Sequence, residues 1–165
     1  MIILGIDPGY AIVGWGVIEK AKNGSCRIID YGTIQTPKNE AFPVRLAMIY
    51  EGMQKLIEKF KPDAVAMEEL FFNNNITTGI PVAEARGVIL ISIIHSPSRL
   101  YEYTPLQIKQ AMTGNGRAEK HQVQYMTRMM LNLKSIPKPD DAADALAVAL
   151  TCAQTNNTLA NNQTI

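Results

Sequence analysis

The 165-residue sequence predicts an α/β fold in which a five-stranded mixed sheet carries helices on both faces. Three short apolar segments separated by turn residues open the chain, as in an antiparallel meander. Helical and strand-like segments then alternate, which is typical of parallel strands joined by crossover helices. The predicted order is therefore β-β-β-α-β-α-β-α-α-α, with three antiparallel strands followed by two parallel ones.

The strands are predicted from short runs rich in apolar and β-branched residues, each bounded by turn signals. Asp7, Pro8 and Gly9 end the first run, and residues 22–24 (Lys-Asn-Gly) supply a hairpin turn between the second and third. The predicted strands cover residues 2–6, 12–18, 26–34, 64–67 and 100–103.

The helices are predicted from a change of period and from start and stop signals. Apolar residues recur at spacings of three and four from Val44 to Phe60, which indicates an amphipathic helix. Thr104 and Pro105 are a helix start, and Pro81 disturbs the start of the largely apolar second helix. The predicted helices cover residues 44–60, 76–94, about 104–114, about 118–131 and 139 to beyond 149.

Length and composition predict one domain over residues 1–153, followed by a polar tail at 154–165 that we expect to be disordered. Cys26 and Cys152 lie far apart and form no C-x-x-C pair, so structural thiols are expected rather than a disulfide or a zinc site. No apolar stretch is long enough to span a membrane, and no charged leader is present. A soluble cytoplasmic protein is expected.

The net charge of +1 conceals a basic segment. Between Ser98 and Lys138 there are seven basic residues and only two acidic ones. A basic surface beside acidic pockets fits a polyanionic substrate, although scattered lysines and arginines can also merely solubilise helices.

Two acidic residues stand at the ends of apolar strands. Asp7 follows the first strand, where an Asp before Pro-Gly is often only a turn former. Glu68 follows the strand at 64–67 and is not a typical turn residue. Its neighbour Glu69 would point to the opposite face, so Glu68 is the predicted partner of Asp7.

Three further acids, Asp140, Asp141 and Asp144, lie at the head of the last helix. Acids in a first turn stabilise the helix dipole, which explains Asp140 and Asp141 well and Asp144 poorly. Asp141 and Asp144 are three residues apart and share a face with small apolar neighbours. Charges on such a face are costly without a cation.

If the two strand ends meet and the last helix lies alongside, Asp7, Glu68, Asp141 and Asp144 form one cluster. Converging carboxylates repel one another unless a divalent ion relieves them. Oxygen-only ligation favours Mg²⁺, with Mn²⁺ as a substitute, over zinc. Two such ions about 4 Å apart can activate water and stabilise the leaving oxygen of a phosphodiester.

Five motifs together resemble the RuvC family of bacterial crossover junction endodeoxyribonucleases, which resolve Holliday junctions. The resemblance covers roughly the first 153 residues, and its specificity lies in the ordered set rather than in any one motif. The motifs are GIDPG at 5–9, AMEELF at 66–71, ARG at 85–87, GRAEK at 116–120 and DAADALA at 141–147.

The resemblance implies a ribonuclease H-like fold, a homodimer, and Mg²⁺-dependent paired symmetric nicks in a four-way junction that leave 5′-phosphate ends. It implies RuvA and RuvB as branch-migration partners. The matching acids are the four named above. Phe71 resembles an aromatic residue that wedges into the junction, and Lys109 and Lys120 match DNA-phosphate contacts, with Lys120 near the cleaved phosphate. Arg117 is the further DNA-binding candidate.

The same resemblance implies a dimer interface on the helix at 76–94, although a core helix would show the same pattern. The sequence departs from the family pattern in the extra acid Asp140, which could alter metal affinity or only cap the helix, and in a tail that is not basic after Gln154.

Three alternatives remain open from the sequence. The segment from Asp7 to Gly16 also resembles the opening of ATP-handling proteins of the actin and sugar-kinase superfamily, but those need a second domain. A non-catalytic nucleic-acid-binding module would use Asp141 and Asp144 only as helix-head acids. A single-strand nuclease of the same fold would share all four carboxylates.

Overall fold

The computed structural model describes residues 1–69 and 76–155, which form one mixed sheet between two layers of helices. The strands are Ile2–Asp7 (β1), Ile12–Lys20 (β2), Cys26–Gln35 (β3), Ala64–Glu68 (β4) and Arg99–Tyr103 (β5). The helices are Phe42–Phe60 (α1), Ile76–Ile94 (α2), Pro105–Thr113 (α3), Lys120–Met130 (α4) and Asp140–Thr155 (α5).

The strand order across the sheet is β3-β2-β1-β4-β5. β1 pairs antiparallel with β2, and β2 pairs antiparallel with β3, so the first three strands are the expected meander. β4 pairs parallel with β1, and β5 pairs parallel with β4. Helix α1 makes the crossover from β3 to β4, and α2 makes the crossover from β4 to β5. The predicted fold class is confirmed.

Each face of the sheet has its own apolar core because successive strand residues point to opposite sides. Ile3 and Ala66 pack with α3, α4 and α5 on one face. Leu4 and Met67 pack with α1 and α2 on the other. All four side chains are fully buried, which fixes the register of the two central strands.

Helix α5 lies unusually close to the sheet because glycines face it. A Cβ atom on Gly5 would stand 2.0 Å from the carbonyl oxygen of Ala145, and one on Gly14 would stand 2.0 Å from that of Asp141. Glycine inside a strand marks such a close backbone approach. The two glycines therefore allow the head of α5 to rest directly on β1 and β2.

Helices α1 and α4 begin two residues away from their predicted starts. α1 starts at Phe42, where Pro43 occupies the first turn, a position that suits its fixed φ. α4 starts at Lys120 rather than 118, because Glu119 caps it and its backbone N–H donates to Gln122 Oε1 at 2.8 Å. No helix in the described part of the chain has the length and apolar character to cross a membrane. Residues 156–165, most of the predicted tail, lie outside the described residues.

Candidate active site

Asp7 and Glu68 lie side by side at the carboxyl ends of two parallel strands. Ile6 on β1 is in register with Met67 on β4. Asp7 and Glu68 are the next residues, and each is the last residue of its strand. Strand alternation turns both carboxylates toward the face covered by α5. The preference for Glu68 over Glu69 follows from the same alternation.

The head of α5 brings Asp141 and Asp144 to these strand ends. Asp7 is paired across the sheet with Gly14, and the Asp141 backbone rests on Gly14. Asp144 follows one turn later and is half-buried between neighbours that are fully buried, among them Ala143. The ends of β1 and β4 and the head of α5 therefore lie at the same edge of the sheet.

Burial and mutual repulsion raise the pKa values of three carboxyl groups in the cluster. Burial, together with the charges of Glu68, Asp144 and Asp141, raises the pKa of Asp7 from its usual 3.8 to about 8. Burial and the Asp144 carboxylate likewise raise the pKa of Glu68. Burial raises the pKa of Asp144, against the lowering effect of Lys120. The three groups are thus coupled, and additional positive charge would stabilise their ionised forms.

Lys120 supplies one positive charge to the cluster. Its ammonium lies 2.6 Å from Asp144 Oδ2, and its side chain is 57% exposed against 23% for Asp144. Partial burial opposes the charged form, but the hydrogen bond to Asp144 prevails and raises the pKa of Lys120. A lysine in the first turn of a helix is unfavourable for the helix dipole. The carboxylates compensate for that position.

A small pocket of about 170 Å³ opens beside this ion pair. Glu68, Asp144, Lys120 and Lys109 line its polar side. The charges of Lys109 and Lys120 both lower the pKa of Glu68, so both ammonium groups act on the cluster. The pocket therefore joins acidic groups, which could bind a cation, to basic groups, which could bind a phosphate.

Carboxylate oxygens suit a hard divalent cation, and such an ion would offset the negative charges that act on Asp7 from Glu68, Asp144 and Asp141. Within residues 1–69 and 76–155, however, no three Asp, Glu, His or Cys side chains already stand close enough to hold a metal ion. The donor set thus fits Mg²⁺ or Mn²⁺ in kind, while its side chains must move to ligate one. Asp144 is at the same time paired with Lys120.

The remaining candidate residues are placed less centrally or not described. Asp140 is half-buried, and its carboxylate pairs with Lys138 at 2.6 Å; that ion pair lowers the pKa of Asp140. Arg117 is exposed in the turn between α3 and α4. Phe71 lies outside the described residues.

Sequence reasoning missed the residues that allow the cluster to form. The packing role of Gly5 and Gly14 was not predicted, although glycine within an apolar strand is a recognisable signal of close backbone approach. Gln124 was also missed. It lies one turn after Lys120 and is 8% exposed. Its amide helps to lower the pKa of Asp140 and so faces the head of α5.

Comparison with protein families gives one match over nearly the whole chain. The family described as "Crossover junction endodeoxyribonuclease RuvC" matches residues 3–152. The RuvC of Brevibacillus brevis is 53% identical over 154 residues, covering 93% of this chain and 92% of the relative. That of Clostridioides difficile is 53% identical over 156 residues, covering 94% and 92%.

Solved structures agree with the sequence matches. RuvC of Thermus thermophilus superposes with a TM-score of 0.88 at 35% identity, covering 95% of this chain and 96% of that one. The same protein in complex with a Holliday junction substrate superposes with a TM-score of 0.87 at 36% identity, covering 93% of each chain. The yeast mitochondrial Holliday junction resolvase shares the fold, with a TM-score of 0.68 at 16% identity.

Proposed function

Because the chain belongs to the RuvC family of crossover junction endodeoxyribonucleases, we propose that it resolves four-way (Holliday) DNA junctions by paired symmetric nicks. It is a nuclease of DNA recombination and repair, and it acts on DNA in the bacterial cytoplasm. The observation that carries the proposal is the meeting of Asp7 and Glu68 with the acidic head of α5.

Family membership implies a divalent metal, and we propose Mg²⁺, two ions in each site, with Mn²⁺ able to substitute. Asp7, Glu68, Asp141 and Asp144 are the residues that would hold them, because their charges already act on one another. When bound, the ions supply activation of water and stabilisation of the leaving oxygen of the phosphodiester, and the product carries a 5′-phosphate.

Two lysines are placed to bind the substrate phosphate. Lys120 and Lys109 line the pocket that contains Glu68 and Asp144. Their ammonium groups hold a phosphate against the carboxylates, and Lys120 offsets the negative charge that develops at the cleaved phosphorus. Arg117 extends this basic surface toward a DNA arm. Phe71, by its match to the family motif, stacks on the bases at the junction centre.

The symmetric nicks require a homodimer, and α2 offers the surface for it. Ile80, Ile91 and Ile94 are about half exposed, at spacings that place them along one side of the helix. Ile91 and Ile94 border an apolar groove of about 720 Å³ with Leu90 and Leu100. Apolar helix faces of this kind are typical of protein interfaces. A two-fold dimer presents two sites to a substrate of matching symmetry.

Two expectations complete the proposal. Residues 1–153 form the nuclease domain, and the polar residues 154–165, of which Gln154 and Thr155 still belong to α5, have no catalytic part. RuvA and RuvB, the branch-migration proteins of the family resemblance, are the proposed partners on the junction.

The test is a nicking assay on a synthetic four-way junction with Mg²⁺. Asp7→Asn is expected to slow nicking by roughly 10²-fold or more, because the charge that holds the metal is lost while the shape is kept. Asp140→Asn is the matched control, since Asp140 is paired with Lys138 and lies on the same helix head. Forked, duplex and single-stranded DNA test the choice of substrate.

The outcomes separate the alternatives. Asp7→Asn nicking at the wild-type rate would refute the metal site. Equal cleavage of single-stranded DNA and junctions would favour the single-strand nuclease. Junction binding without nicking by the wild-type protein would favour a binding module.

A further inference from the structure

The ion pair of Lys120 with Asp144 must break in the proposed reaction. Asp144 is a proposed ligand of the metal, and Lys120 is proposed to bind the substrate phosphate. The inference rests on the proposed function. We propose that the Lys120 ammonium is a built-in cation that occupies Asp144 in the metal-free protein, leaves it when a divalent ion binds, and is thereby released toward the phosphate.

The geometry supports an exchangeable contact. Lys120 Nζ and Asp144 Oδ2 are 2.6 Å apart, and no other hydrogen bond to the Asp144 carboxylate is found among the described residues. The lysine side chain is 57% exposed, so it can swing into solvent without leaving a cavity in the core. A buried lysine would also be held by packing, whereas the exposed Lys120 side chain is held mainly by its ion pair with Asp144.

The rest of the cluster shows what the contact does. The charges of Asp144, Asp140 and Asp7 all raise the pKa of Lys120, so its ammonium interacts electrostatically with more than one carboxylate. No three potential ligands in residues 1–69 and 76–155 yet stand at metal-binding distance. Lys120 thus limits the repulsion while no metal is present, and it competes with the metal for Asp144.

The exchange also couples metal binding by the carboxylates to phosphate binding by the lysines. Lys120 and Lys109 line the same pocket as Glu68 and Asp144. Once a divalent ion has taken Asp144, the ammonium loses the one ion pair that it makes among the described residues and can bind a phosphate oxygen. Phosphate binding by Lys120 is therefore strongest after the metal has bound, which orders metal before phosphate at this residue.

Mn²⁺ binding to the full chain without DNA, measured by electron paramagnetic resonance, tests the exchange. Lys120→Met is expected to tighten Mn²⁺ binding about tenfold, because a unit charge close to a divalent ion is removed. Lys120→Arg keeps the charge but holds Asp144 through two hydrogen bonds, so it should weaken binding. Lys138→Met is the matched control: its Lys–Asp pair is also 2.6 Å long but is more exposed and involves Asp140. Its effect should be under about twofold.

A second measurement follows the ammonium itself. With ¹⁵N-labelled lysine, Mg²⁺ should shift or broaden the Lys120 ammonium signal, while the Lys138 signal stays in place. An unchanged Lys120 signal at saturating Mg²⁺, or Mn²⁺ binding by Lys120→Met no tighter than by the wild type, overturns the inference. If the wild type binds no Mn²⁺, or Asp7→Asn binds it equally well, the proposed metal site fails instead.

Discussion

Replacing Asp7 by Asn removes a half-buried carboxylate whose pKa is raised by the charges of three others. Its pKa rises from the usual 3.8 to about 8, through burial first and then through Glu68, Asp144 and Asp141. A difference of about four corresponds to roughly 6 kcal/mol, at about 1.4 kcal/mol for each pKa unit. The Asp7 side chain is only half-buried, and water relaxes around its charge, so the full value is not expected. We expect the free energy of unfolding of Asp7→Asn to exceed that of the wild type by about 2–3 kcal/mol at alkaline pH.

The pH dependence gives the sign of the effect. Between about pH 4 and pH 8 the folded wild type keeps a proton on Asp7 that the unfolded chain has lost, so wild-type stability falls as the pH rises through this window. Asn has no such proton. The advantage of the variant should therefore be small near pH 4, grow up to about pH 8, and stay constant above it.

The assay is thermal unfolding of both proteins in a metal chelator at about pH 5 and about pH 8. A gain of 2–3 kcal/mol corresponds to a Tm rise of about 5–10 °C for a domain of this size. Added Mg²⁺ should stabilise the wild type and reverse the order, because the ion binds the folded carboxylates.

Asp140→Asn serves as the control for this measurement. The ion pair with Lys138 lowers the pKa of Asp140, so its loss should give no stabilisation at about pH 8. An Asp7→Asn variant that is less stable than the wild type at about pH 8 without metal would refute the reasoning. So would a gain that does not change with pH.

Two further predictions concern the parts that support the site. Gly14→Ala should cost about 1–3 kcal/mol in thermal unfolding and slow junction nicking, because the new Cβ meets the Asp141 carbonyl oxygen at 2.0 Å; unchanged Tm and nicking would contradict the role of this close approach. Ile91→Glu, which places a charge on the 48% exposed Ile91 side chain of α2, should shift the protein to a monomer in analytical ultracentrifugation. It should also uncouple the two nicks, and a dimer that persists would move the interface elsewhere.

The sequence alone determined the elements of the fold, and it predicted the four acids of the proposed cluster. Strand periodicity and turn signals located β1 and β4, and they placed Asp7 and Glu68 at strand ends. The spacing of Asp141 and Asp144 put both on one helix face. These features are local, since a strand's alternation and a helix's period depend on residues only a few positions apart. The preference of divalent ions for several carboxylate ligands then suggested why the acids would lie together.

Only the tertiary structure decided that they do converge. The parallel pairing of β1 with β4, and the contact of α5 with Gly5 and Gly14, join segments more than fifty residues apart. Such contacts depend on which faces pack together, and strand or helix periodicity carries no information about the partner. The ion pair between Lys120 and Asp144 is of the same kind, because it needs the head of α4 to lie beside α5. Local sequence patterns identified the acidic residues, whereas long-range packing determines the distances between them and the pKa values of their carboxyl groups.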